Sequence, residues 1–95
     1  RVVERRPMNE DEKALFESLR ALRKSIATER GVPPYVVFND STLREMAINK
    51  PGSRHELLTI RGIGQKKLDE FGRVFMDAIE KHLSTPPGGG GTDGD

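Results

Sequence analysis

Two apolar stripes of helical period, separated by a stretch interrupted by proline and glycine, limit what this 95-residue chain can become. Leu15, Leu19, Leu22 and Ile26 recur at steps of four, three and four, and Leu68, Phe71, Phe75, Ile79 and Leu83 recur at steps of three and four. Residues so spaced share one face of an α-helix, and that face must be covered. The length allows one small core and excludes a second. The expected architecture is therefore all-α, a compact bundle of four to five short helices over residues 9–84. Residues 1–8 read as a lead-in ending near Pro7, and the Pro- and Gly-rich residues 85–95 as a flexible linker or tail.

Local signals place the elements. Asn9 can cap a first helix in which Glu10, Asp11 and Glu12 favour the positive end of the dipole, and Gly31 suits a left-handed cap at its close. Val32 to Phe38 contains Pro33 and Pro34, which remove donors and fix φ; it reads as a hydrophobic loop tucked into the core. Asp40, Ser41 or Thr42 then caps a short helix with Leu43, Met46 and Ala47 inward, and Thr42 with Glu45 has capping-box spacing. Pro51 and Gly52 end that helix, and Ser53 with Glu56 opens a brief third one carrying Leu57, Leu58 and Ile60. Gly62-Ile63-Gly64 makes a tight turn before the last helix, where Gly72 implies close packing. Phe16, Phe38, Phe71 and Phe75 are expected in the core.

The inventory for catalysis is thin. His55 and His82 are the only histidines and there is no cysteine, so no zinc-ligand spacing and no disulfide framework is present. Ser25, Ser41 and Ser53 lack a nucleophile-elbow context. The acidic trio at Glu10 to Glu12 has a sufficient reason as a solvated helix start. Lys67 stands where a dinucleotide loop would need its third glycine. No catalytic residue, metal site or cofactor is expected. No apolar run approaches the roughly 20 residues of a membrane span. A cysteine-free small domain fits a reducing cytoplasm or any compartment where thiols are not needed, and a chain that starts at Arg1 reads as a monomeric fragment of something longer.

Charge placement points elsewhere. Asp93 and Asp95 lie in the tail, leaving residues 1–85 with 16 basic against 13 acidic groups. Arg20, Arg23 and Lys24 are spaced to share one exposed face of the first helix, while Arg61, Lys66 and Lys67 crowd the glycine turn. In a helix-hairpin-helix turn an apolar residue plugs the bend and the amides opening the second helix face outward, where they and nearby cations can hold a phosphate. The glycines could equally serve the turn alone, and the charges a solvated face. Tyr35, after two prolines, is the one aromatic placed to face water and stack on an unpaired base; packing on the core is the alternative.

VPPYVVFND (32–40), STLREMA (41–47) and LLTIRGIGQKKLDEFGRVFMDAI (57–79), in that order, resemble the helicase-and-RNase-D C-terminal (HRDC) domain, and the version found in bacterial RecQ-type DNA helicases in particular. The resemblance covers about residues 10–84. It implies a helical accessory module that contacts single-stranded or partly duplex DNA alongside a helicase core in the same parent chain, in the bacterial cytoplasm at the nucleoid. It also implies that Tyr35 and Lys67 match positions tied to single-strand binding. Arg20, Arg23, Lys24, Arg61 and Lys66 join them from charge geometry. A protein-docking module using the Tyr35 loop as an apolar anchor, and an RNA-binding module of an RNase D-type nuclease, are the rival functions.

Overall fold

The computed structural model describes residues 7–84. Five helices follow one another: α1 (Glu10–Arg30), α2 (Pro34–Val37), α3 (Asp40–Asn49), α4 (Arg54–Leu58) and α5 (Gln65–Ser84). Among the described residues there is no strand. Of the expected lead-in only Pro7 and Met8 are described, and the expected tail over 85–95 lies outside the described residues.

The helix boundaries follow from caps. Asn9 and Glu12 form a reciprocal capping box: the Asn9 side chain accepts from the Glu12 amide at 2.8 Å, and the Glu12 carboxylate accepts from the Asn9 amide at 3.0 Å. The acidic trio is thus more than a solvated face, since Glu12 is buried and Asp11 accepts from His82 while pairing with Lys50. Gly31 ends α1 at φ 70°, its amide bonded back to Ala27 and Thr28. At the head of α3 the cap is Asn39, which accepts from the Thr42 amide at 2.8 Å, rather than Asp40, Ser41 or Thr42. The reason is register: Thr42 lies one turn in, with its hydroxyl turned to the Arg61 carbonyl. Ser53 caps α4 as expected, although Glu56 reaches past it to the Gly52 amide at 2.7 Å.

Residues 34–37 are the second correction. The loop expected there contains one helical turn, because Pro34 occupies the first position of α2, where a missing N–H is harmless and a fixed φ helps. Only part of the segment is tucked in: Val37 and Phe38 are buried while Tyr35 and Val36 face outward.

The core joins Leu15, Leu19 and Ala27 of α1 to Val37, Phe38, Leu43, Met46, Leu57, Ile60, Ile63 and the Leu68, Phe71, Phe75, Ile79 face of α5. Phe38 stands at its centre, edge-on to Phe71 at 5.8 Å and to Phe75 at 5.0 Å between ring centroids. Phe16, Leu22 and Ile26 are half-buried at its margin, so the inward line of α1 is displaced from the expected stripe and passes through Arg23; on α5 the stripe stops short of Leu83, which is exposed. Gly72 is buried, and a Cβ there would come within 3.5 Å of Leu57 and closer still to Leu68, which explains glycine where α4 packs on α5.

Candidate nucleic-acid interface

The turn between α4 and α5 is built on Gly62. Its φ of 92° suits glycine, and a Cβ would run into the Thr42 hydroxyl, the same group that donates to the Arg61 carbonyl at 2.9 Å. Ile63 is buried and plugs the bend. Gly64 differs: it has no positive φ, and a Cβ there would meet only open space. Its carbonyl accepts from the Leu68 amide at 2.9 Å, so Gly64 sits at the start of α5 with its outer side clear.

Tyr35 is 68% exposed, which removes the reading of a ring packed on the core. Its two neighbours on α2 each line a shallow cleft, Pro34 one and Val36 the other. One, of about 340 Å³, is lined by Glu17, Arg20, Ala21, Arg23, Lys24 and Pro34. The other, of about 240 Å³, is lined by residues that include Arg30, Val36, Lys66, Lys67 and Phe71. Arg20 and Lys24 of α1 thus share a cleft with Pro34, and Lys66 and Lys67 of α5 share one with Val36, the residues on either side of Tyr35 in sequence.

The cations differ in what already holds them. Lys24 and Lys66 are exposed and have no ion pair or hydrogen bond among the described residues. Arg20 pairs with Glu17 at 3.3 Å and lies 5.9 Å from the Phe16 ring centroid. Arg30, which charge spacing alone did not single out, lines the second cleft but is engaged by Glu70 at 3.2 Å and by the Phe71 ring. The available signal was its place in the last turn of α1, three residues before Pro33. Arg61 lines neither cleft.

Arg23 is a correction. Expected on an exposed face with Arg20 and Lys24, it is only 8% exposed. Its Nη1 donates to the Phe38 carbonyl at 2.9 Å and its Nη2 pairs with Asp40 at 2.8 Å. Arg20 and Lys24 flank it at three and one positions' distance, but the helix turns the intervening side chain inward. Lys67 is half-buried: its ammonium donates to the Val36 carbonyl at 2.7 Å and the Val37 carbonyl at 3.0 Å, and lies 5.7 Å from the Phe38 ring centroid.

Among the described residues no three His, Cys, Asp or Glu side chains gather as metal ligands. The Asp11 carboxyl is held below its usual value chiefly by the hydrogen bond from His82, with Lys50 adding to it. Asp11 lies at the start of α1, on a different element from Tyr35.

The profile of the HRDC domain family matches residues 12–79, and so spans most of the bundle. The chain belongs to the HRDC family. The ATP-dependent DNA helicase RecQ of Haemophilus influenzae is 52% identical over 71 residues, 75% of this chain and 12% of that protein. The RecQ helicase of Bacillus subtilis is 50% identical over 68 residues, 72% of this chain and again 12% of the relative. A solved structure described as D. radiodurans RecQ HRDC domain 3 superposes with a TM-score of 0.73 at 35% identity, covering 76% of this chain and 95% of that one. The HRDC chain thus spans about an eighth of the length of these curated relatives. Among its described residues no helix is long and apolar enough to cross a membrane.

Proposed function

We propose that this HRDC domain is a non-catalytic accessory module of a RecQ-type DNA helicase that contacts single-stranded or partly duplex DNA and modulates how the helicase core engages its substrate. The observation that carries the reading is Tyr35, 68% exposed on a proline-anchored turn whose residues Pro34 and Val36 each line a cleft with basic residues. A groove that tracks phosphates beside an aromatic platform is the chemistry of sequence-tolerant single-strand binding. Tyr35 takes a base, while Lys24, Lys66 and Arg20 neutralise phosphates at the two clefts. The clear space outside Gly64 lets a phosphate approach the first amides of α5. Arg61 joins as an outlying cation, and Arg23 leaves the contact set because its guanidinium is turned inward. Ordinary backbone and ring contacts do not read base edges, so no sequence preference is built in.

The test is a titration of the chain against labelled single-stranded DNA at several salt concentrations. With three phosphates neutralised, log affinity falls against log salt with a slope of about −2, from about −0.7 per contact. A flat dependence, or no binding, overturns the proposal and favours docking on a protein through the adjoining exposed Tyr35 and Val36. The same preparation is expected to hydrolyse neither ATP nor nucleic acid.

A further inference from the structure

Two of the cations near this turn are committed to the backbone just after Tyr35. A helix of four residues leaves its carbonyls without intrahelical partners, and α2 is such a helix. Lys67 supplies the missing donor to the carbonyls of Val36 and Val37, and Arg23 donates to that of Phe38, the residue that closes the helix. Each cation lines a different one of the two clefts. On the other side of Tyr35, Pro33 and Pro34 restrict φ. The aromatic residue is thereby bracketed by two locked prolines and three consecutive carbonyls held by charge-assisted hydrogen bonds.

Arg23 strengthens the point. Its Nε is buried without a hydrogen-bond partner among the described residues, a costly condition. An apolar side chain at this site of α1 would avoid that cost but could not reach the Phe38 carbonyl. For Lys67, turning toward a phosphate would strip two carbonyls of their donor and withdraw the ammonium from the Phe38 ring.

We infer that Lys67 is a positioning residue: with Arg23 it fixes the α2 backbone beneath Tyr35, and it contributes to nucleic-acid binding through Tyr35 rather than by touching a phosphate. This rests on the single-strand reading above for its binding consequence, but the positioning itself is measurable without any ligand. Tyr35 is the only tyrosine and the chain has no tryptophan, so intrinsic fluorescence reports this turn alone.

The experiment compares the 95-residue chain with Lys67→Met and Lys67→Gln, the second keeping a donor while losing the charge. In the free chain, Lys67→Met raises the amplitude of fast nanosecond depolarisation in the tyrosine anisotropy decay, and Lys67→Gln recovers part of the loss. Against single-stranded DNA, Lys67→Met weakens binding several-fold with the salt slope unchanged. The Tyr35→Ala, Lys67→Met double variant binds no more weakly than Tyr35→Ala. The inference is overturned if the anisotropy of the free chain is unmoved, or if either Lys67 variant lowers the slope by about 0.7 with a loss that adds to that of Tyr35→Ala. If Lys67→Met does not fold, Lys67→Gln decides on the same two readouts. Wild-type affinity retained by Tyr35→Ala would instead sink the single-strand reading, and the anisotropy would still decide the positioning role.

Discussion

The Thr42 hydroxyl occupies the space that a side chain at Gly62 would need, and from there it donates to the Arg61 carbonyl. One hydrogen bond therefore ties the head of α3 to the turn before α5, and it exists only because residue 62 has no Cβ.

Gly62→Ala is accordingly expected to destabilise the domain by about 2 to 4 kcal/mol, combining left-handed backbone strain with overpacking against Thr42. Gly64→Ser should alter stability by no more than about 1 kcal/mol, because its Cβ meets open space and serine is a good helix cap. Chemical denaturation of both variants measures the contrast. Equal losses would mean that the two glycines serve the turn alike.

Arg23→Met should destabilise by about 1 to 3 kcal/mol, the cost of leaving the Phe38 carbonyl without its donor. Removal of the orphaned Nε works in the opposite direction. Arg20→Met, on the exposed side of the same helix, should stay within about 0.5 kcal/mol of the parent chain. Urea midpoints at constant m-value report both, and a neutral Arg23→Met would return that residue to the exposed set.

Tyr35→Ala should leave the melting temperature nearly unchanged, since the ring lies mostly in water. In a single-strand binding assay it should lose about 1 to 3 kcal/mol of stacking at an unaltered salt slope. Lys66→Ala is its complement: a modest loss of affinity and a slope shallower by about 0.7. The opposite pattern for the pair would reverse the assignment of platform and phosphate contact.

Asp11 makes stability depend on acid. Its folded-state pKa lies below the usual carboxylate value because His82 and Lys50 favour the ionised form. The contribution is therefore complete above about pH 5 and is lost as pH falls through the lowered pKa. Melting curves of the parent chain and Asp11→Asn should be separated at pH 5 to 7 and converge toward about pH 2. A gap that persists in acid would assign the effect to packing instead of charge.

Much of this fold is legible in the sequence because its signals are local. Asn9, Gly31 and Ser53 act within one turn of their own positions, and helical spacing alone places Leu15, Leu19, Leu68, Phe71 and Phe75 inward. Arg23 was misplaced because a charge in a helix ordinarily reads as solvated. The signal that could have found it is its position, four residues after Leu19 and four before Ala27, in line with two buried neighbours. The helical turn at α2 was hidden by prolines that mark a break yet suit a first helical position. The bonds from Lys67 to Val36 and Val37 cross 30 residues or more and had no local trace.

The hydrogen bond between His82 and Asp11 places the last turn of α5 against the first turn of α1, at 2.9 Å. The polypeptide thus enters and leaves the bundle on the same side, as a loop pinched at its neck. Tension applied along the backbone from both ends would load that neck first and peel α1 from α5 contact by contact, instead of shearing the whole helical interface at once.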